Sequence, residues 1–224
     1  MKIFKMCLLL LPLLFSQLIG YAQEDNKKMD TSKVVPLKPG ENPDFQFEKL
    51  VIEPVNLYIQ PEPIKNDAPY IQLELKVVEN NTKYSTFLWY FDEGDNGLKT
   101  NYPKAYQYYS FDLKINEGEV ELVVDKLDFD QAMFIDIGQT AIIDGLTITF
   151  EDCLTEWSED IDGNQVDAFS TYRILLSDEN EEKSLSFTSR GENDEKKQSL
   201  VWKKYEIVIL ENSEKAIQIE VIRN

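Results

Sequence analysis

From residue 45 onward, apolar residues recur at every second position and rarely at the three-and-four spacing of a helix. The cleanest run is 70–78, where Ile71, Leu73, Leu75 and Val77 face one way and Gln72, Glu74 and Lys76 the other, as in a half-buried antiparallel strand. Asn80-Asn81-Thr82 turns it into a strand at 84–91, read with Phe87, Trp89 and Phe91 inward. Upstream, 47–52 and 55–59 are short runs broken at Pro54, which predicts a bulge or an edge. Further on, Tyr109, Phe111, Leu113 and Ile115 oppose Val120, Leu122 and Val124 across Asn116-Glu117-Gly118-Glu119. Asp144-Gly145 is the sharpest turn signal, because both central residues of a type I′ turn need positive φ. Its register sets Ile143 opposite Leu146, Ala141 opposite Ile148 and Thr140 opposite Thr149. Strands at 166–177 and 185–187 follow, and a last hairpin pairs Tyr205, Ile207 and Ile209 with Ile217, Ile219 and Val221.

The pattern predicts an all-β protein of roughly twelve strands, too many for one seven-stranded sandwich. The hairpin from Tyr70 to Phe87 has the shape of the one from Tyr172 to Phe187, and Tyr109 to Val124 that of Tyr205 to Val221. Two tandem antiparallel immunoglobulin-like β-sandwich modules are therefore expected, 45–129 and 130–224, with one larger sandwich as the alternative that gives the same alternation. Tyr109 and Tyr205 then begin the penultimate strands, where a tyrosine corner would sit. Before them, Lys2 and Lys5, the apolar run from Cys7 to Ile19, and Gly20-Tyr21-Ala22 form a secretory signal peptide, 1–22, cut after Ala22. The run is shorter than the roughly 20 residues of a membrane span, so no membrane insertion is expected after cleavage. The polar, proline-punctuated stretch 23–44 reads as a disordered linker. The expected location is secreted or periplasmic.

Charge narrows the partners. With 23 basic and 41 acidic residues the chain carries a formal charge of −18, and loss of the leader removes two lysines. Such a surface repels nucleic acid and anionic lipid. The absence of histidine excludes serine and cysteine triads built on imidazole, and the usual imidazole zinc sites. Only Cys153 remains after the leader, so no internal disulfide can form and the fold rests on its apolar core. Unbroken alternation from Thr147 puts Cys153 on the Thr147/Thr149 side of its strand.

Two features could carry chemistry. Aromatics crowd between Tyr84 and Phe111, more than one face of a sheet can hold. With Phe87, Trp89 and Phe91 inward, Tyr90, Tyr106 and Tyr108 point outward as a platform for a glycan or a protein partner. Two acidic loops, one with Asp92, Glu93 and Asp95 and the other with Asp160, Asp162 and Asn164, offer oxygen ligands that suit calcium, the one possible cofactor. The second is not an EF-hand, since Phe169 stands where the bidentate glutamate belongs. No nucleophile motif or phosphate loop is present, and the carboxylate pairs a glycoside hydrolase needs are too abundant here to point to any one. The leader followed by Gly138-Gln139-Thr140-Ala141 and 144–150 resembles small exported β-sandwich proteins of bacteria, a resemblance that carries over no functional residues. The expectation is an exported non-catalytic binding module, with a calcium-stabilised extracellular structural protein as the alternative.

Overall fold

A computed structural model describes residues 32–40, 42–60, 70–91, 103–190 and 198–224, which form sixteen strands and no helix. Residues 1–22, the expected leader, lie outside them. The first half contributes β1 (Ser32–Leu37), β2 (Phe45–Phe47), β3 (Leu50–Ile59), β4 (Tyr70–Glu79), β5 (Thr82–Phe91), β6 (Lys104–Tyr106), β7 (Tyr109–Asn116) and β8 (Glu119–Lys126). The second contributes β9 (Ala132–Asp136), β10 (Thr140–Ile143), β11 (Leu146–Glu159), β12 (Gln165–Ser177), β13 (Glu182–Ser189), β14 (Gln198–Trp202), β15 (Tyr205–Asn212) and β16 (Ala216–Arg223).

The strands assemble into three sheets. One runs β1-β8-β7-β6-β9-β16-β15-β14, and two four-stranded sheets run β2-β3-β4-β5 and β10-β11-β12-β13. Neither small sheet has the skip that places strand E beside B in an immunoglobulin sheet. Sequence neighbours stay paired because two-residue turns hold them, with positive φ at both Asn80 and Asn81, and at Glu117 and Gly118. Asp144 and Gly145 likewise have φ of 45° and 82°, and Ile143 pairs with Leu146 and Ala141 with Ile148, the register read from the sequence. The immunoglobulin order expected from the sequence is replaced by a meander.

Two apolar cores result. Leu50, Ile52, Leu73, Leu75, Phe111 and Leu122 lie in the first, between β2-β3-β4-β5 and the β1–β6 end of the large sheet. Ile135, Ile148, Phe150, Ile174, Ile207 and Ile219 lie in the second. Successive residues on a strand point to opposite faces. On β6, Ala105 belongs to the second core and its neighbour Tyr106 to the first. The two small sheets therefore cover opposite faces of the large one.

The halves join where β6 and β9 run parallel, at Lys104 and Phe134, with the Phe134 N–H donating to the Pro103 carbonyl at 2.9 Å. Gln107 extends the contact by donating to Thr140 O and accepting from Ile142 N. Beside it, Asp136 of β9 reaches the first small sheet. Its carboxylate accepts from Tyr84 OH (2.8 Å), Thr86 Oγ1 (2.9 Å) and Lys104 Nζ (2.7 Å). Burial, and then the Asp136 charge, push the Tyr84 hydroxyl far above its ordinary pKa, so it stays a donor.

Several expectations change. The stretch read as a linker supplies β1, because Lys33, Val35 and Leu37 pair with Val124, Leu122 and Val120 of β8 and Leu37 enters the first core. The break at Pro54 is a bulge, between Pro54 and Asn56. A second bulge between Phe150 and Asp152 shifts the alternation and turns Cys153 toward the second core, away from the Thr147/Thr149 side.

Candidate functional site

The outer face of β3-β4-β5 carries the most exposed aromatic cluster of the first half. Strand pairing sets Tyr58, Gln72 and Trp89 in one row across the sheet, and Asn56, Glu74 and Phe87 in the next. Tyr58, Phe87 and Trp89 are 49%, 47% and 43% exposed. Tyr58 and Trp89 flank β4, which spaces their backbones by about 9.5 Å, and Phe87 stands about 6.7 Å along β5 from Trp89. Between the rings, Asn56 Nδ2 donates to Glu74 Oε2 at 2.7 Å, which orients the amide and carboxylate across the face. Lys76 Nζ lies 3.9 Å from the other Glu74 oxygen. Flat rings bordering fixed hydrogen-bonding groups suit a ligand with apolar faces and hydroxyl edges.

This set replaces the expected platform. Tyr106 is buried and stacks on Tyr84, with centroids 4.6 Å apart and planes 2° from parallel. Tyr90 is half-buried against the first core. Tyr108 is exposed, but it packs edge-on to Tyr109 under the Lys49 ammonium, 4.9 Å from its ring centroid. The three tyrosines thus share no exposed face. The reason lies in β5. Tyr84, Thr86 and Leu88 turn inward, the first two drawn by Asp136, and Phe87 and Trp89 turn out.

The expected calcium ligands fare differently by loop. Asp92, Glu93 and Asp95 lie outside the described residues. Asp160, Asp162 and Asn164 sit in the β11–β12 turn, where Asp160 Oδ1 accepts from Asp162 N (2.9 Å) and Asn164 N (2.8 Å). The Asn164 side-chain amide, donating to both oxygens, and then these backbone amides hold Asp160 below the usual carboxylate range. N–H donors pointed at a carboxylate occupy the lone pairs a cation would need. No group of three acidic or thiol ligands converges among the described residues.

An ionic cluster closes one end of the first half. Glu48, in the β2–β3 turn, accepts from Lys126 Nζ and Tyr109 OH, both at 2.7 Å, and Lys49 pairs with buried Glu79. Hydrogen bonds from Lys126 and then Tyr109 lower the Glu48 pKa. A carboxylate held below its unfolded pKa stabilises above the usual carboxylate range and loses that contribution as pH falls through its folded value. Glu48→Gln is therefore expected to lower the melting temperature at pH 7, and the gap to the native chain should narrow as pH falls below the usual carboxylate range. Melts at pH 7 and below that range test this, and a gap independent of pH would contradict it.

On the second small sheet, the corresponding outer rows are Asp152-Arg173-Ser186, Leu154-Thr171-Thr188 and Thr149-Leu175-Ser184. Arg173 and Asp152 pair at 2.6 Å, and these rows hold no aromatic ring. The next row along, Glu156-Phe169, brings one half-buried ring, so among the described residues the row of exposed rings flanking an amide has no counterpart on this sheet. Compared with known proteins, the chain matches no family model and no curated protein.

Proposed function

We propose that this is an exported, non-catalytic protein of two tandem β-sandwich units, whose first unit binds a neutral glycan on the Tyr58-Gln72-Trp89 face. The observation that carries the reading is the row itself, two exposed rings flanking an amide with Asn56 and Glu74 beside it. Export rests on the leader, with Lys2, Lys5 and the Gly20-Tyr21-Ala22 cleavage site. The net charge disfavours acidic glycans, since like charge raises the cost of approach.

The tandem reading rests on matching detail. Glu48 and Asp144 both occupy the first turn of a small sheet with positive φ, and pair with Lys126 and Arg223 at the ends of the last strands. Bulges follow Pro54 and Phe150. Tyr109 and Tyr205 open equivalent strands, each after a two-residue turn. Glu48 and Asp144, Pro54 and Phe150, Tyr109 and Tyr205 all stand at the same separation in the chain.

Titration calorimetry and an array of neutral oligosaccharides test the binding. Trp89→Ala is expected to weaken binding about tenfold or more, the loss of a central aromatic anchor. Tyr108→Ala should leave it unchanged. An array with no neutral glycan bound, or a Trp89→Ala protein that binds normally, would overturn the proposal.

A further inference from the structure

The β6–β9 junction is a template for what the two ends of the large sheet could do. Pairing registers map one half onto the other. Trp202 opposite Tyr205 repeats Tyr106 opposite Tyr109, so Leu200 of β14 corresponds to Lys104 of β6. Val35 opposite Leu122 repeats Met133 opposite Ile219, so Pro36 corresponds to Phe134 and Lys38 to Asp136. β14 and β1 are the outermost strands of the large sheet. A second copy could thus set its β1 against β14 as β9 sits against β6. That contact joins unlike surfaces, so it would pass from copy to copy and not stop at a dimer.

Two residues at the β1 edge stand in the way, with a third on the β14 edge. The two-residue turn at Glu117-Gly118 makes Asn116 and Glu119 exchange hydrogen bonds. Alternation then directs Glu121 and Val123 toward β7, and Val120, Leu122 and Val124 toward β1. On β1, Lys33, Val35 and Leu37 bond to β8, and residue 36 directs its backbone nitrogen to the open edge. That residue is proline, which has no N–H, at the place where Phe134 donates to Pro103. Two residues on, Lys38 replaces Asp136, the acceptor for Lys104, and Leu200 replaces Lys104 itself. Neither the backbone bond nor the ion pair of the internal junction can form between copies. Proline on an edge strand costs the ladder to β8 nothing and blocks pairing on the other side.

We infer that Pro36 and Lys38 close the β1 edge to the β14 edge of another copy, so that the continuous sheet ends at two units. The inference rests on the tandem reading. Its test is sedimentation of the full chain against Pro36→Val/Lys38→Asp/Leu200→Lys, which rebuilds the junction chemistry between copies. The native chain should keep one mass as its concentration rises, and the folded triple variant should form species larger than dimers that grow with concentration. The converse variant, Phe134→Pro/Asp136→Lys, copies the closed edge into the internal junction and should split unfolding into two transitions. A single unchanged transition there would sink the tandem reading. A split there, with a triple variant that stays at the native mass, would sink the edge inference alone. Concentration-dependent growth of the native chain would sink it too.

Discussion

Asp136→Ala is expected to destabilise the protein by about 3 kcal/mol, toward the lower end for a broken buried pair because both partners keep some exposure. The side chains of Asp136 and Lys104 are each 20% exposed. Asp136 is the shared acceptor for Tyr84, Thr86 and Lys104, and its loss leaves the buried Tyr84 hydroxyl without that acceptor. An unmet buried donor costs its desolvation on top of the lost bond. For a chain of this size the change corresponds to a fall in melting temperature of about 6–12 °C. Asp136→Asn retains an acceptor oxygen and should lose less. In Lys104→Met/Asp136→Leu the two losses should be less than additive, because neither charge remains to be left alone. Calorimetry of the native chain, these three variants and the single variants Lys104→Met and Asp136→Leu tests this, and a drop under about 2 °C for Asp136→Ala would refute the role given to the cluster.

Phe150→Ala carries the largest expected cost, about 3–5 kcal/mol, that of emptying an aromatic site in a closed core. Phe150 is fully buried, and its ring lies 6.2 Å from that of Tyr172. The bulge just after it fixes the backbone that would have to move to fill the hole. Urea unfolding followed by tryptophan emission measures it, because Trp202 is buried in the same core and Trp89 and Trp157 are exposed. Phe111→Ala, in the first core, should cost as much while perturbing Trp202 less. A Phe150→Ala loss below about 1 kcal/mol would mean that the second core collapses around the hole.

Local chemistry made much of this fold legible. Asp144-Gly145 and Glu117-Gly118 declare their turns because few residues accept positive φ, and the register follows from the turn. The error on β5 came from the same rule applied one residue off. Taking Asn80-Asn81-Thr82 as the turn sends Phe87 and Trp89 inward. The two-residue turn Asn80-Asn81 pairs Glu79 with Thr82, and so sets Leu88 opposite Leu73, Thr86 opposite Leu75 and Tyr84 opposite Val77. Cross-strand partners share a face, so the buried faces of Leu73 and Val77 would have shown which β5 residues go in. The row Tyr58-Gln72-Trp89 was readable from that register. What could not be read locally was the joining of distant strands. β1 meets β8, and β6 meets β9, through contacts that depend on the whole assembly, and a short run such as Lys33-Val34-Val35 between prolines and charges looks like a linker. Cys153 shows a third limit, since a bulge reverses the side chains up to the next one, here between Glu156 and Ser158, without a clear signal of its own.

Covering one sheet on opposite faces in its two halves has a consequence for how the molecule would lie on a surface. The rings of Tyr58, Phe87 and Trp89 look outward from one side of the large sheet, and the threonines, serines and Arg173–Asp152 pair of the second small sheet look outward from the other. On the proposed reading, a chain resting on a polysaccharide through its rings would turn to the solvent a back of hydroxyls, the Arg173–Asp152 pair and Leu154. It would behave as a one-sided adhesive, coating what it touches without gluing two such surfaces together.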